Sequence, residues 1–223
     1  ERLVYFKDVA GIMSGDPRRV QGTQLLGELS LSEAAELAFH GAGVLHPRAL
    51  EPLRGSSVTV EVRHIARPEE PGTSISGTGV REGVVGVTGF AELEGLEVVS
   101  GDGGGLNALF ALLHARHIHP RALVSSAVGL RVWAPRGAGL EAVRLELSER
   151  AKALPLVASV VVVGGGSEVG RRAAMALASA GLEPRLALLG DEAPSQLFLF
   201  EVGAGPAAMQ ALHAALLSSD GAV

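Results

Sequence analysis

Val160-Val-Val-Val-Gly-Gly-Gly-Ser-Glu-Val-Gly170 admits two folds, and the choice between them settles the architecture of the chain. Locally it reads as a strand, a glycine loop and the start of a helix. Gly164, Gly166 and Gly170 imitate a dinucleotide fingerprint, and Asp191 stands about 20 residues on, where a ribose-binding acid belongs. The following elements point elsewhere. Arg185–Leu189 and Leu197–Val202 are strand-like runs joined by a short loop, which makes a hairpin, whereas a dinucleotide unit needs parallel strands and crossover helices. The spacing favours an amide-lined turn at a helix N-terminus, a setting that suits a small carboxylate.

The same rhythm occurs about 60 residues earlier. Leu96–Ser100 reads as a strand, Gly101–Gly105 as a glycine loop and Leu106–His117 as a helix. Strands at Ala122–Ser125 and Leu130–Trp133 and a helix at Leu140–Arg150 follow. The second round runs through Ser159–Val163, Gly164–Gly166, Val169–Ala180, the hairpin and Pro206–Leu217. Strand-helix-strand-strand-helix, taken twice, is the order of two α+β ferredoxin-like βαββαβ modules. The second copy lacks a last strand, and Val84-Val-Gly-Val-Thr-Gly89 is a strand without a place in the first. It is expected to complete the second sheet, so that one module is inserted in the other. Leu106, Leu109, Phe110, Leu113, Met175 and Leu177 are expected in the cores. Glu92, Glu94 and Glu97 are expected on a solvated sheet edge.

Upstream, residues 67–83 combine proline, glycine and charge, the composition of a linker or long loop. Before it, Leu3–Phe6 and Val58–Val62 read as strands and Leu31–Ala42 as a helix. Ser30-Leu-Ser-Glu33 fits a capping box at its start, Ala34, Leu37, Ala38 and Phe39 give it an apolar face, and Gly41 and Gly43 stop it. Between strand and helix lies a loop rich in charge and turn residues, in which Lys7 and Arg18 supply cations and Asp8 and Asp16 carboxylates. Two readings stand: a ligand loop at a strand's carboxyl end, or a salt-bridged corner at Asp16-Pro-Arg18.

Composition narrows the chemistry. The 223 residues contain no cysteine, which excludes disulfides, thiolate catalysis and cysteine-ligated metals. A net charge of −5 and pI of 5.8 argue against nucleic-acid or membrane partners drawn by bulk charge. Mean hydropathy is +0.31, yet no apolar run approaches the roughly 18 residues of a membrane span. A cytoplasmic protein is expected. Lys7 and Lys152 are the sole lysines. His114-Ala-Arg-His117-Ile-His119 has metal-like spacing, but Arg116 intrudes and no carboxylate completes it. It reads as a solvated helix end, and no metal site is expected. No spacing supports a Ser-His-Asp triad or a carboxylate pair.

Lys7-Asp-Val-Ala-Gly-Ile-Met-Ser-Gly-Asp-Pro-Arg18 resembles the nucleotide-proximal loop of the aspartokinases. Ser32-Glu-Ala-Ala-Glu-Leu-Ala-Phe-His-Gly-Ala-Gly-Val-Leu-His-Pro-Arg48 resembles that family's next helix and turn, and Pro71-Gly-Thr73 its exit from the kinase domain. The two βαββαβ copies then resemble its paired ACT regulatory modules. The resemblance implies the α/β C-terminal piece of an amino-acid-kinase domain over 1–80, a first ACT module over 81–156 that lends strand 84–89 to the second, and the second over 157–223. It implies ATP-dependent phosphorylation of L-aspartate to 4-phospho-L-aspartate, the first step toward lysine, threonine and methionine, with MgATP as substrate. Lys7, Asp8, Met13, Arg18 and Gly43 would then meet ATP. The family carries a phosphate-binding lysine where Gly43 stands, and under the resemblance Lys7 is the candidate replacement cation. Ser100, Asp102, Gly103, Gly105, Asn107, Ser125 and Ser126 would hold a lysine or threonine effector, in a homodimer built through the modules. Ala127 stands where family members often carry an acid. The family's amino-terminal half has no counterpart here, so the chain is expected to be the C-terminal part of a kinase. A non-catalytic regulatory chain or a degenerate homologue is the alternative.

Overall fold

In chain order the elements are β1 (Arg2–Lys7), β2 (Glu28–Leu29), α1 (Leu31–Phe39), α2 (Pro47–Leu50), β3 (Thr59–His64), β4 (Thr73–Ile75), β5 (Gly83–Thr88) and β6 (Leu93–Val99). There follow α3 (Gly104–Ala115), β7 (Ala122–Ser126), β8 (Gly129–Pro135), α4 (Leu140–Leu147), β9 (Ala151–Gly165), α5 (Ser167–Ser179), β10 (Leu186–Leu188), β11 (Ser195–Glu201) and α6 (Gly205–Leu217). They come from a computed structural model that describes residues 1–99, 104–190 and 193–217. One unit joins Glu1–Gly89 to Val160–Val223, and a second spans Phe90–Ser159. No helix among the described residues is long and apolar enough to cross a membrane.

The first unit holds a four-stranded sheet in the order β1-β3-β4-β2, with β1 parallel to β3. Strand β4 lies inside the stretch expected to be a linker. Three residues are too few to show a period, and β4 is specified by its partners: it runs antiparallel to β3 and parallel to β2, burying Thr73 and Ile75. The capping box at α1 is present in both halves, Ser30 Oγ accepting from Glu33 N and Glu33 Oε2 from Ser30 N. The same carboxylate, in a residue only 1% exposed, also accepts from Arg81 N (2.9 Å), Nε (2.9 Å) and Nη2 (3.0 Å). Burial pushes the Glu33 carboxyl up, but these hydrogen bonds outweigh it and hold its pKa below the ordinary 4.5. Helix α1 ends at Phe39, earlier than expected. Ala42 N reaches Leu37 O (2.9 Å) and Gly41 N reaches Ala38 O (3.4 Å), a Schellman turn for which Gly41 supplies the positive φ.

The same unit contains a second sheet, β10-β11-β9-β5, to which β9 contributes its last residues. In module order this is 2-3-1-4, the ferredoxin-like arrangement, and β5 supplies the fourth strand from far upstream. It pairs with Val161–Gly165, so one module is indeed inserted within the other. Val160 and Val162 join Phe198, Phe200, Met209 and Leu212 beneath α5 and α6, while Val161 and Val163 on the opposite face are equally buried. Two-sided burial explains the unbroken valine run. The dinucleotide reading of Gly164–Gly170 fails on the antiparallel β10–β11 hairpin. Two amides of the turn read as a carboxylate site are engaged by backbone, Gly164 N donating to Pro194 O and Gly165 N to Arg81 O. At Gly164 (φ +150°) a side chain would collide with the Gly83 carbonyl, so this glycine permits the β5–β9 approach. Asp191 lies outside the described residues.

The second unit orders its strands β7-β8-β6-β9, again 2-3-1-4. Its fourth strand is Ala151–Val157, which the sequence conceals behind Pro155; the β6–β9 register shifts beside that proline. The Glu94 and Glu97 strand is therefore central, not an edge. Glu97 meets Arg131 (2.6 Å) and Glu92 meets Arg136 (2.6 Å). Leu109, Leu113 and Leu177 are buried as expected, with Leu106 packed against the core, but Phe110 is 51% and Met175 56% exposed. Helix α3 buries Gly105, Leu109 and Leu113, and α5 Val169, Ala173 and Leu177, so the two large residues fall on the outer faces.

Removing the Glu33 carboxylate leaves Ser30 N and the Arg81 donors unmatched, so Glu33→Ala should lower the unfolding free energy by about 2–3 kcal/mol in urea titrations. Since its pKa is lowered on folding, the contribution is present above pH 4.5 and fades as pH falls below that value. The variant should therefore show a flatter acid limb. Gly164→Ala, which blocks the β5–β9 approach, should lower the urea midpoint far more than the sterically milder Gly170→Ala.

Candidate functional site

Strand β1 ends at Lys7, and the chain then runs out to Arg18 and turns back, Leu26 N donating to Ile12 O and Ser14 N to Gln24 O. This excursion, the Schellman turn after α1 and the end of β5 enclose a cleft of about 540 Å³. Lys7, Asp8, Met13, Arg18 and Gly43, the five residues expected to meet ATP, all line it. The cleft opens at the carboxyl end of a parallel strand, where α/β sheets commonly place ligands. Its lining includes the apolar side chains of Ile12, Met13, Leu37, Val44 and Val87 and the charged side chains of Lys7, Asp8, Asp16 and Arg18. A mixed lining of this kind can take a ligand that has both an apolar and a charged part.

Of the two readings of the Asp16–Arg18 corner, the salt-bridged turn is seen directly. Asp16 Oδ1 accepts from Arg18 N (3.0 Å) and Nε (3.1 Å), and Oδ2 from Nη2 (3.1 Å), which makes a salt-bridged turn. The Arg18 hydrogen bonds hold the Asp16 carboxyl below its ordinary value. The Arg18 side chain is nevertheless 88% exposed along the cleft. Gly43 has φ +66° with open space around it, so its place in the turn follows from backbone conformation.

Lining residues that the sequence did not reveal are Leu37, Val87 and Thr88. Val87 and Thr88 come from a strand assigned only to a sheet; the buried hydroxyl of Thr88 at the end of that strand was the available signal. Also unforeseen is the anchoring of the loop. Ser14 Oγ accepts from Gln24 N (2.9 Å) and pairs with His213 Nε2 on α6 at 2.9 Å, both side chains being buried. Burial lowers the His213 pKa from 6.5. On α1, Glu36 Oε2 accepts from Ser195 Oγ of β11 at 2.7 Å and lies 3.5 Å from His40 Nε2. Burial raises the Glu36 carboxyl, and the His40 and Ser195 hydrogen bonds bring it below 4.5.

Of the residues expected to hold an effector, Ser100, Asp102 and Gly103 lie outside the described residues. In the second unit, Gly129 of β8 pairs with both Val99 and Ser126, so the strand ends flanking the glycine loop and the serine pair share one end of the sheet. Gly105 is buried in the first turn of α3, Asn107 is exposed on that helix, and Ser125 and Ser126 are exposed. Among the described residues no group of three His, Asp or Glu side chains is placed to hold a metal ion.

Residues 1–64 match the family model described as the amino acid kinase family. The bifunctional aspartokinase/homoserine dehydrogenase 2 of Escherichia coli (strain K12) is 44% identical over 85 residues, which cover 36% of this chain and 10% of that protein. The chain is also similar in fold to E. coli aspartokinase III. Its complex with aspartate and ADP (R-state) superposes with a TM-score of 0.80 at 22% identity, and its complex with lysine and aspartate (T-state) with 0.78 at 24%. Each superposition covers 97% of this chain and 52% of the other. The matched stretch thus spans about a tenth of the curated relative, and the chain about half of the solved structures.

A histidine whose pKa falls on folding supports stability above its ordinary value and withdraws it as pH drops through the folded one. Stability should thus decline below pH 6.5, and urea titrations should show a smaller decline in His213→Gln.

Proposed function

Because the chain is the C-terminal region of an aspartokinase, we propose that its cleft receives the ATP of an aspartate kinase, which phosphorylates the side-chain carboxylate of L-aspartate to 4-phospho-L-aspartate. The observation that carries this reading is that Lys7, Asp8, Met13, Arg18 and Gly43 line one cleft together with apolar side chains. The base would lie against Met13 and its apolar neighbours, and the phosphates of MgATP against Lys7 and Arg18. Phosphoryl transfer depends mainly on positioning and on neutralising charge, which these two cations serve. The Asp16–Arg18 pair is solvent-exposed, and water competes with such pairs so that they add little net attraction. The guanidinium can therefore exchange a carboxylate for a phosphate at little cost, and its planar fork suits either. The ADP complex of E. coli aspartokinase III supports the same reading.

The second unit, in this reading, is a regulatory module that binds lysine or threonine at the Gly129 end of its sheet, with a homodimer formed through the modules. The lysine complex of E. coli aspartokinase III supports an amino acid of this kind. The α-carboxylate would meet the start of α3, while Ser125 and Ser126 offer hydroxyls on β7.

Calorimetric titration with MgATP tests the first assignment. Saturable binding is expected, weakened about tenfold by Lys7→Gln, as the loss of one charge-assisted contact predicts, and unchanged by Lys152→Gln. Gly43→Lys should tighten binding several-fold at low salt and lose that gain as salt rises. Equal affinity in all three variants would sink the assignment. Titration with lysine and with threonine tests the second: one of the two should give saturable heat, and silence from both would remove the effector site.

A further inference from the structure

The loop that walls the cleft has no helix or sheet of its own to hold it, and its ties lead to the other end of the chain. Ser14 sits between the lining residues Met13 and Gly15 and is held on every side. Its N–H donates to Gln24 O (2.8 Å), its carbonyl accepts from Val87 N (2.8 Å), and its hydroxyl oxygen accepts from Gln24 N (2.9 Å). The remaining partner of the hydroxyl is His213 Nε2, 199 positions away. A neutral imidazole with Nε2 unprotonated accepts the hydrogen bond that the Ser14 hydroxyl donates, which leaves neither the donor nor the acceptor side of that hydroxyl unmatched. The ring also forms the floor beneath Gly15, its Cδ2 lying 3.3 Å from where a Cβ at that residue would stand.

The surroundings make the ring a fixed point. His213 is 2% exposed and follows Met209 and Leu212 of α6, both fully buried in the core beneath α5 and α6. Val20, from the same loop, enters that core, and Gln21 N donates to Gln210 Oε1 of α6 at 2.8 Å. The loop is thus seated on α6, with Ser14–His213 as the tie nearest the cleft. The geometry points to His213 as a positioning residue: through Ser14 it fixes the Met13–Asp16 peptide against which a nucleotide lies. This rests on the nucleotide reading of the cleft. Cleft affinity then depends on the packing of α6, a helix of the second βαββαβ module that itself supplies no lining residue.

The test compares MgADP affinity by calorimetry, and thermal midpoints, for the full chain and three variants. His213→Leu removes the partner and should weaken binding about tenfold, the worth of one buried hydrogen bond. His213→Gln, whose amide can pair with Ser14, should recover affinity to within about threefold even if its thermal midpoint stays low. Ser14→Ala deletes the hydroxyl alone and should weaken binding as His213→Leu does; it decides the matter if His213→Leu does not fold. Parent-like affinity in Ser14→Ala and His213→Leu, or losses that follow the thermal midpoint with no recovery in His213→Gln, would overturn the positioning role while leaving the nucleotide site intact. Absence of MgADP binding by the parent chain would overturn the nucleotide reading and the positioning role with it.

Discussion

Strand β5 has two edges, and the first unit depends on the use of both. One edge carries the ladder to Val161–Gly165, and from the other Val87 N reaches out to Ser14 O. A sheet with an exposed edge invites mispairing, and here the edge is closed by a loop that also walls a cleft. The strand's own residues fit both tasks. Gly86 allows Leu37 and the Ser14 carbonyl to approach, while Val87 reaches the module core. Because β5 precedes the inserted module and its partner follows it, the chain must leave and return before this edge exists. The cleft wall is therefore a long-range product, built late relative to local helices.

Charge serves two different purposes around the cleft. Glu33 is a buried anion with every lone pair engaged, by Ser30 N and three Arg81 donors, and it pins the stretch before β5 onto the start of α1. Breaking such a cluster leaves donors stranded, so it is rigid. Asp16 and Arg18 form an equally well-shaped pair in solvent, where water competes and the net attraction is small. The same chemistry thus yields a structural bolt in one place and an exchangeable cation in the other, and burial makes the difference.

Much of this was readable from local chemistry. The capping box needed only Ser30 and Glu33 at the right spacing. The repeat needed only two glycine-rich turns followed by helix, hairpin and helix, and a count of strands showed that residues 84–89 belonged to the second sheet. Five cleft residues, from Lys7 to Gly43, stood together in motifs. Other features were invisible for definite reasons. Strand β4 is three residues long and has no period; the first half of β9 hides behind Pro155. Phe110 and Met175 are large and apolar, but their helical phase turns them outward, and phase is fixed only once the buried face is known. The glycines at 164 and 165 spend their amides on backbone carbonyls, which local spacing cannot show.

The sequence by itself determined most element types, the twofold βαββαβ repeat and the grouping of Lys7, Met13 and Arg18 in one loop, because caps, turns and periodicity act over a few residues. Tertiary structure alone decided that Ser14 would meet His213, that Glu36 would meet Ser195, and that Leu37 and Thr88 would share a cleft with Lys7. The first two contacts join segments from opposite ends of the chain, and the third joins elements roughly 30 to 80 residues apart. No local propensity encodes them; they exist because β5 closes a sheet whose other strands are made far downstream.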